Sequence, residues 1–206
     1  MPITEEAPHH VHLERPRVLC DDPIADRSRL PAPLPLHTMA MLAIGRPGSG
    51  KSSFVHACFC VPKTNYNKLF RRVHWIAPPT SRQSFAGNVL KRHPRVYDKL
   101  DFETLEEIKR SAEEVSERGK GHHSILIADD VGSAMKNSDL VTSLRAVCWN
   151  RRHLRLSTWF LVQTYRSLHV DLRRCASHLC LWKSVNSLES DLVFQELLSQ
   201  FMSKDD

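Results

Sequence analysis

The chain has 206 residues, of which 29 are Lys or Arg and 23 are Asp or Glu, so its formal net charge is +6 at pH 7. Its six cysteines form no C-x-x-C pair, and no window approaches the roughly 18 apolar residues that a membrane-spanning helix needs. These features exclude a disulfide-built secreted domain and a membrane protein, and they predict a soluble, intracellular protein. The basic surplus favours polyanions such as nucleic acid as partners.

The first 36 residues differ in composition from the rest of the chain. They hold seven of the twelve prolines, together with scattered charges. Proline fixes φ and removes a backbone donor, so residues 1–36 are predicted to form a Pro-rich N-terminal extension that is extended or disordered. Residues 37–206 are predicted to form the folded domain.

From His37 onward, short apolar runs alternate with segments of helical periodicity. The predicted strands are Met39–Ile44, Val73–Ala77, Ser124–Ala128, Leu156–Val162 and His178–Trp182. The predicted helices are Ser52–Val61, Ser81–Lys91, Phe102–Arg118, Asp139–Trp149 and Leu188–Met202. Strands that alternate with helices imply a parallel sheet covered on both faces. The predicted fold class is therefore α/β, a three-layer sandwich around a central, mostly parallel sheet.

The clearest helical pattern is Phe102–Arg118, where apolar residues recur every three to four positions. Asp101 is predicted to cap the amino end of this helix. Opposite charges four residues apart on a helix attract each other, which predicts two ion pairs, Glu106–Arg110 and Glu114–Arg118.

A glycine-rich segment follows the first predicted strand and matches G-x-x-x-x-G-K-[ST] at every fixed position. Its residues are Gly45, Arg46, Pro47, Gly48, Ser49, Gly50, Lys51 and Ser52, and Ser53 adjoins them. The glycines let backbone N–H groups turn toward phosphate oxygens, and the following helix adds the positive end of its dipole. Lys51 is predicted to reach the β- and γ-phosphates of ATP, and Ser52 to bind Mg²⁺. The segment is therefore interpreted as a phosphate-binding loop.

Two carboxylates end the buried strand Ser124–Ala128. A carboxylate at the end of a buried strand costs free energy unless it has a binding partner. Asp129 is predicted to hold Mg²⁺, directly or through water, and Asp130 to orient and polarise the attacking water. Gln163 ends another strand, and parallel strands place their carboxyl ends on one edge. Gly45, Asp129 and Gln163 are therefore expected to face one crevice, where Gln163 senses the γ-phosphate or helps to position water.

The predicted strand Val73–Ala77 lies, in sequence, between the phosphate-loop (Walker A) strand and the acidic (Walker B) strand. P-loop kinases and GTPases usually place the Walker A and Walker B strands side by side. Translocating and ring-forming ATPases insert a strand between them. The layout therefore resembles that of a motor, and it predicts an extra strand between the two.

Taken together, these residues resemble the genome-packaging ATPases of large DNA viruses, of poxvirus type, a branch of the FtsK–HerA superfamily. The matching pieces are Gly45–Ser52, Phe70–Pro79, Ile125–Asp130 and the series Arg152-His153, Ser157, Gln163 and Leu172-Arg173. The resemblance covers about Met39 to Trp182. It implies an ATP-driven motor that threads double-stranded DNA into a preformed capsid. Asp130 departs from the pattern, because much of the wider superfamily has glutamate there.

The resemblance also implies partners and roles. It implies a homo-oligomeric ring of six or five subunits, with an arginine finger supplied by the neighbouring subunit and a capsid vertex protein as a further partner. Arg152 matches the arginine ahead of the sensor strand, Gln163 the sensor glutamine, and Arg173 a downstream arginine. The implied location is the host cytoplasm, a virus assembly site or the virion.

Three other functions remain open from the sequence. A cellular or plasmid-borne FtsK–HerA-like translocase or helicase would use the same chemistry for another process. A small-molecule or nucleotide kinase would need an acceptor pocket, and would not need Gln163 or an arginine from a neighbour. A non-catalytic nucleotide-binding scaffold is disfavoured because Lys51, Ser52, Asp129 and Asp130 are all present.

Overall fold

The computed structural model describes residues 22–30, 32–60, 66–83, 93–182 and 187–199. The strands are β1 (Ala40–Ile44), β2 (Arg72–Ile76), β3 (Val96–Tyr97), β4 (Ser124–Asp129), β5 (Leu156–Val162) and β6 (His178–Leu181). They form a six-stranded sheet in the order β3-β2-β4-β5-β1-β6, and every pairing is parallel. All residues of β1 and β5 are buried, as expected of strands covered on both faces.

The predicted extra strand is confirmed, and it is β5. Thr158 in β5 pairs with Ala40 in β1 on one side and with Leu126 in β4 on the other. The strand after the phosphate loop, β2, lies beyond β4 instead. The strand that separates Walker A from Walker B in space is therefore the one that follows both of them in sequence.

Helices cover both faces of the sheet. They are α1 (Lys51–Cys60), α2 (Pro79–Gln83), α3 (Phe102–Ser116), α4 (Ser138–Trp149), α5 (Arg151–Leu154), α6 (Val170–Arg174) and α7 (Ser187–Val193). Turns of 3₁₀ helix occupy Val131–Lys136 and Tyr165–Ser167, and a π-helical turn, Phe194–Leu198, continues α7. Apolar side chains from α3, α4 and α6 pack on one face, and those from α1 pack on the other. Among the described residues, no helix is long and apolar enough to cross a lipid bilayer.

Helix α3 agrees with its prediction at the amino end and differs on its surface. The Asp101 carboxylate accepts a hydrogen bond from the Thr104 backbone N–H at 2.9 Å, so the predicted cap is confirmed. The predicted i,i+4 ion pairs are wrong. The Lys109 ammonium lies 3.1 Å from Glu106, and the Arg72 guanidinium of β2 lies 2.8 Å from Glu114. Tertiary packing therefore supplies a nearer cation to Glu114 than its own helix does.

Two predicted helices begin close to their predicted positions. Helix α2 starts at Pro79, before the predicted Ser81, and the rest of the prediction to Lys91 lies outside the described residues. Helix α7 starts at Ser187, and the end predicted at Met202 also lies outside them.

The described part of the N-terminal extension packs against the domain. Leu30 is fully buried in the α1-side core, and the Ile24 backbone N–H donates to Leu36 O at 2.6 Å. The Tyr66 hydroxyl donates to Pro35 O at 2.9 Å. Residues 22–30 and 32–36 therefore contribute contacts to the core, and a boundary at residue 36 stays a prediction.

Candidate functional site

The carboxyl edge of the sheet brings the predicted site residues together. Gly45 N–H donates to Val162 O at 3.1 Å, and Asp130 N–H donates to Leu161 O at 3.2 Å. The end of β5 therefore lies between the phosphate loop and the acidic pair. Gln163 follows this strand end, as predicted.

The phosphate loop needs glycine at its first position for steric reasons. A Cβ on Gly45 would lie 2.7 Å from both the Ser49 Oγ and the Trp182 Cβ, closer than packed atoms approach. Gly48 and Gly50 have φ of +74° and +96°, in the region that L side chains rarely adopt. The loop closes through a hydrogen bond of 3.1 Å from Ser49 N–H to Arg46 O. This bond forms a tight turn over residues 46–49 of the loop.

Lys51 lies at the start of α1 and is only 7% exposed. Its ammonium donates to Gly45 O at 2.6 Å and to Arg46 O at 3.0 Å. Burial lowers the pKa of Lys51, while the negative charges of Asp129 and Asp130 oppose this shift. The lysine thus supports the loop, and a bound phosphate would offer its ammonium charged acceptors in place of neutral carbonyls.

The Ser52 hydroxyl donates to the Asp129 carboxylate at 3.1 Å, which joins the phosphate loop to the end of β4. Burial raises the pKa of Asp129, and the Ser52 hydrogen bond and the Lys51 charge partly offset this. A hydroxyl and a carboxylate that converge in this way are the oxygen ligands that Mg²⁺ prefers, and one or two such groups suffice beside phosphate oxygens. The predicted metal residues therefore fit the ion.

Asp130 is exposed and has left-handed backbone angles, with φ 53° and ψ 49°. Aspartate tolerates this conformation better than most residues, although it still costs free energy. The chain turns at this residue from β4 into the 3₁₀ turn at Val131. Asp130 thus lies exposed at the end of β4, beside the half-buried Asp129.

A cavity of about 330 Å³ adjoins the phosphate loop on the β6 side. Its walls come from the ends of three strands, including Gln163 and Trp182, and from Glu189 and Val193 of α7. Phe54 of α1 packs edge-on against Trp182, with ring centroids 5.7 Å apart. The sequence prediction missed this cavity. The position of Trp182 at the carboxyl end of the predicted strand His178–Trp182 was the signal that could have identified it.

The segment after Gln163 is tied to the C-terminal helix. The Tyr165 backbone N–H donates to the Glu189 carboxylate, and the Tyr165 hydroxyl donates to Glu196 at 2.9 Å. The Arg173 guanidinium lies 4.7 Å from the Tyr165 ring centroid and 3.2 Å from Glu196. Arg173, whose role the resemblance left loosely defined, therefore holds the C-terminal helix against the β5 exit.

Arg152 lies at the amino edge of the sheet, where the strands begin, opposite the carboxyl edge that holds the phosphate loop. It belongs to α5, which precedes β5, whereas Gln163 follows β5. Arg152 is exposed, but Arg155 is 8% exposed, with its Nε 3.0 Å from the Asp22 carboxylate. The structure thus does not place Arg152 with the other predicted site residues of the same chain. The nearby Arg155 stabilises the fold through its ion pair with Asp22.

A parallel sheet with β5 inserted between the Walker strands, and this site at its carboxyl edge, defines a P-loop ATPase. The particular family follows from a family model described as "Poxvirus A32 protein", which matches residues 32–203. The chain belongs to the poxvirus A32 protein family, and the predicted resemblance to packaging ATPases of poxvirus type is confirmed at family level. No curated protein sequence matches the chain.

Solved structures agree on the fold. The genome packaging NTPase B204 from Sulfolobus turreted icosahedral virus 2, in complex with AMPPCP, has a TM-score of 0.59 and 15% identity, covering 79% of this chain and 83% of that one. Its sulfate complex has a TM-score of 0.57 and 17% identity, with 82% coverage of both chains. EssC (ATPases 2 and 3) from Geobacillus thermodenitrificans has a TM-score of 0.52 and 15% identity, covering 76% of this chain and 34% of that one.

Proposed function

We propose that this protein is an ATP-hydrolysing motor that translocates double-stranded DNA and packages it into viral capsids. The observation that carries the proposal is the Ser52–Asp129 contact of 3.1 Å, which joins a complete phosphate loop to an acidic strand end. The inserted strand β5 and membership of the poxvirus A32 protein family support a motor rather than a kinase. The formal charge of +6 suits a DNA partner.

ATP would lie along the carboxyl edge of the sheet. Its phosphates would enter the loop Gly45–Ser52, and its base would occupy the cavity beside Trp182. Lys51 would exchange its carbonyl partners for the β- and γ-phosphates. Ser52 and Asp129 would hold Mg²⁺, which neutralises charge on the phosphate oxygens when it is bound.

The attacking water would be oriented by Asp130. Its exposed carboxylate follows Asp129 directly, so it would border the space where water approaches the γ-phosphate. Gln163, at the β5 exit between the two motifs, would sense that phosphate. Because Tyr165 is hydrogen-bonded to Glu189 and Glu196, a movement of Gln163 would be transmitted to the C-terminal helix.

The active assembly would be a homo-oligomeric ring of six or five subunits docked at a capsid vertex protein, at the virus assembly site. A neighbour would supply Arg152, because the site of its own chain lies beyond reach at the opposite edge of the sheet. An arginine suits this role because its planar, permanently charged guanidinium bridges two phosphate oxygens.

Duplex DNA provides the discriminating experiment. Phosphate release from ATP should rise when duplex DNA of mixed sequence is added to the full chain, and should depend on Mg²⁺. ATP hydrolysis that ignores DNA, combined with phosphate transfer to a small acceptor, would instead identify a kinase. Absence of any hydrolysis despite ATP binding would identify a nucleotide-binding scaffold.

A further inference from the structure

A second cavity, of about 440 Å³, lies at the amino edge of the sheet, opposite the phosphate loop. It is formed where the chain enters three adjacent strands. The N-terminal segment leads into β1, α5 leads into β5, and Ser177 precedes β6. The side chains that matter for its chemistry are Arg27, His37, Arg151, Arg152 and His178.

The titratable side chains that line this amino-edge cavity are all basic. It contains three guanidinium groups and two imidazoles, and no carboxylate belongs to it among the described residues. Arg27 donates to Leu34 O at 2.9 Å, and Arg151 donates to Cys148 O at 3.0 Å. In the part of the chain that the structure describes, neither Arg27 nor Arg151 forms an ion pair. Both guanidinium groups therefore donate to uncharged carbonyl oxygens rather than to carboxylates.

Arg151 carries a further sign of a missing acceptor. Its Nε is buried and has no hydrogen-bond partner among the described residues. Buried donors in folded proteins almost always have a partner, and an exception points to a bound water or ion. The neighbouring His178 is oriented by Ser177, whose Oγ lies 2.9 Å from its Nδ1. Burial, and then the charge of Arg151, lower the pKa of His178.

We propose that the amino-edge cavity binds a phosphate-type oxyanion. Guanidinium groups present several N–H donors in a planar fork that matches tetrahedral oxyanions, and Arg27, Arg151 and Arg152 approach the cavity from two elements. Two sources supply this chemistry. One is the backbone of duplex DNA. The other is a small phosphate, either free or on the nucleotide of a neighbouring subunit, and the neighbour version rests on the proposed function.

Crystals of the full wild-type chain soaked in sodium selenate test the site without any substitution. An anomalous peak within hydrogen-bonding distance of Arg27, Arg151 or His178 is expected, in addition to a peak at the phosphate loop. The loop peak is an internal reference for the proposed function. A peak at the phosphate loop alone would overturn the amino-edge site and leave the proposed ATP site standing. A peak at the amino edge alone would support the amino-edge site and count against the proposed ATP site.

Binding to duplex DNA across a salt series identifies the source. The double variant Arg27→Gln, Arg151→Gln is compared with Arg110→Gln, which removes one positive charge from the exposed face of α3. If a DNA phosphate occupies the cavity, the log–log salt slope of the double variant should fall by about 0.9 for each DNA phosphate that it no longer neutralises, beyond the control's change. An unchanged slope together with the selenate peak would assign a small phosphate. An unchanged slope without the peak would refute the site.

Discussion

At the scale of single residues, hydrogen bonds join the residues of the phosphate loop to each other and to the acidic strand end. Lys51 donates to two carbonyls of its own loop, and Ser52 is hydrogen-bonded to Asp129. These contacts are built from groups that ATP and Mg²⁺ would use. The groups proposed to meet ATP and Mg²⁺ are therefore adjacent in the fold.

Replacing Lys51 by Ala is expected to abolish turnover, because it removes the charge that would meet the β- and γ-phosphates. Asp129→Asn should remove the dependence of activity on Mg²⁺ together with most of the activity. Phosphate release is the measurement, and Lys120→Ala, at an exposed lysine, is the control. Hydrolysis at the wild-type rate by either site variant would refute the assignment.

Trp182 is expected to contribute to nucleotide affinity through the base. An aromatic contact is worth about 0.5–1.5 kcal/mol beyond area burial, so Trp182→Ala should raise the KM for ATP by about 2- to 10-fold or more. Trp182→Phe should retain most of the affinity. The matched control is Trp149→Ala, at a tryptophan that is 69% exposed and does not line the cavity. Equal KM values for the three variants would place the base elsewhere.

At the scale of elements, a polar chain joins β2 to α3. The His74 ring is fully buried, with Nδ1 3.2 Å from the Tyr97 hydroxyl and Nε2 3.1 Å from the Ser111 Oγ. Burial, reinforced by the charges of Arg95 and Arg72, lowers the pKa of His74 to about 3. The folded protein thus keeps this imidazole neutral where the unfolded chain would protonate it.

Acid should therefore destabilise the fold through His74. Its contribution is complete above the unfolded-state pKa of about 6.5 and declines as the pH falls from there toward about 3. Between pH 7 and pH 5 the free energy of unfolding should drop by about 2 kcal/mol from this residue. In urea titrations His74→Gln should lose about that much less than wild type over the same interval. The surface variant His153→Gln should behave as wild type, and an identical drop in His74→Gln would contradict the prediction.

At the scale of the whole molecule, the two edges of the sheet carry different chemistry. The carboxyl edge holds the proposed nucleotide site, and the amino edge holds Arg152. Strand β5 separates them with seven residues, or about 23 Å at about 3.3 Å each. An arginine side chain cannot span that length, so a catalytic role for Arg152 requires a second subunit.

Mixing two inactive variants tests this arrangement. Arg152→Ala should be nearly inactive while still binding ATP, since fingers of this kind accelerate hydrolysis by roughly 10³ to 10⁵. Lys51→Ala is also expected to be inactive, but it keeps its own Arg152. In mixed rings an intact Arg152 can serve the intact phosphate loop of an Arg152→Ala neighbour, so activity should partly return. No return in rings shown to exchange subunits would assign the finger to another residue.

Local patterns in the sequence determined the chemistry of the site. The phosphate loop is built from consecutive residues, so its motif can be recognised without the fold. Gly48 and Gly50 adopt positive φ, so few other residues could replace them. The acids follow an apolar strand directly, and parallel strands must end on a shared edge. These relations need no knowledge of strand order, so the placement of Lys51, Ser52 and Asp129 together could be predicted.

Only the tertiary structure decided which distant segments meet. Chain order suggested β2 as a strand between the Walker strands, yet β5 occupies that place, because strand order depends on how crossover helices pack. Trp182 and Glu189 line one cavity only because β6 lies beside β1 and α7 folds back over its end. Arg152 and Arg155 are neighbours in sequence. Asp22, from the distant N-terminal segment, forms an ion pair with the buried Arg155, whereas Arg152 is exposed. Which arginine meets Asp22 depends on proximity in space, and chain order does not reveal it.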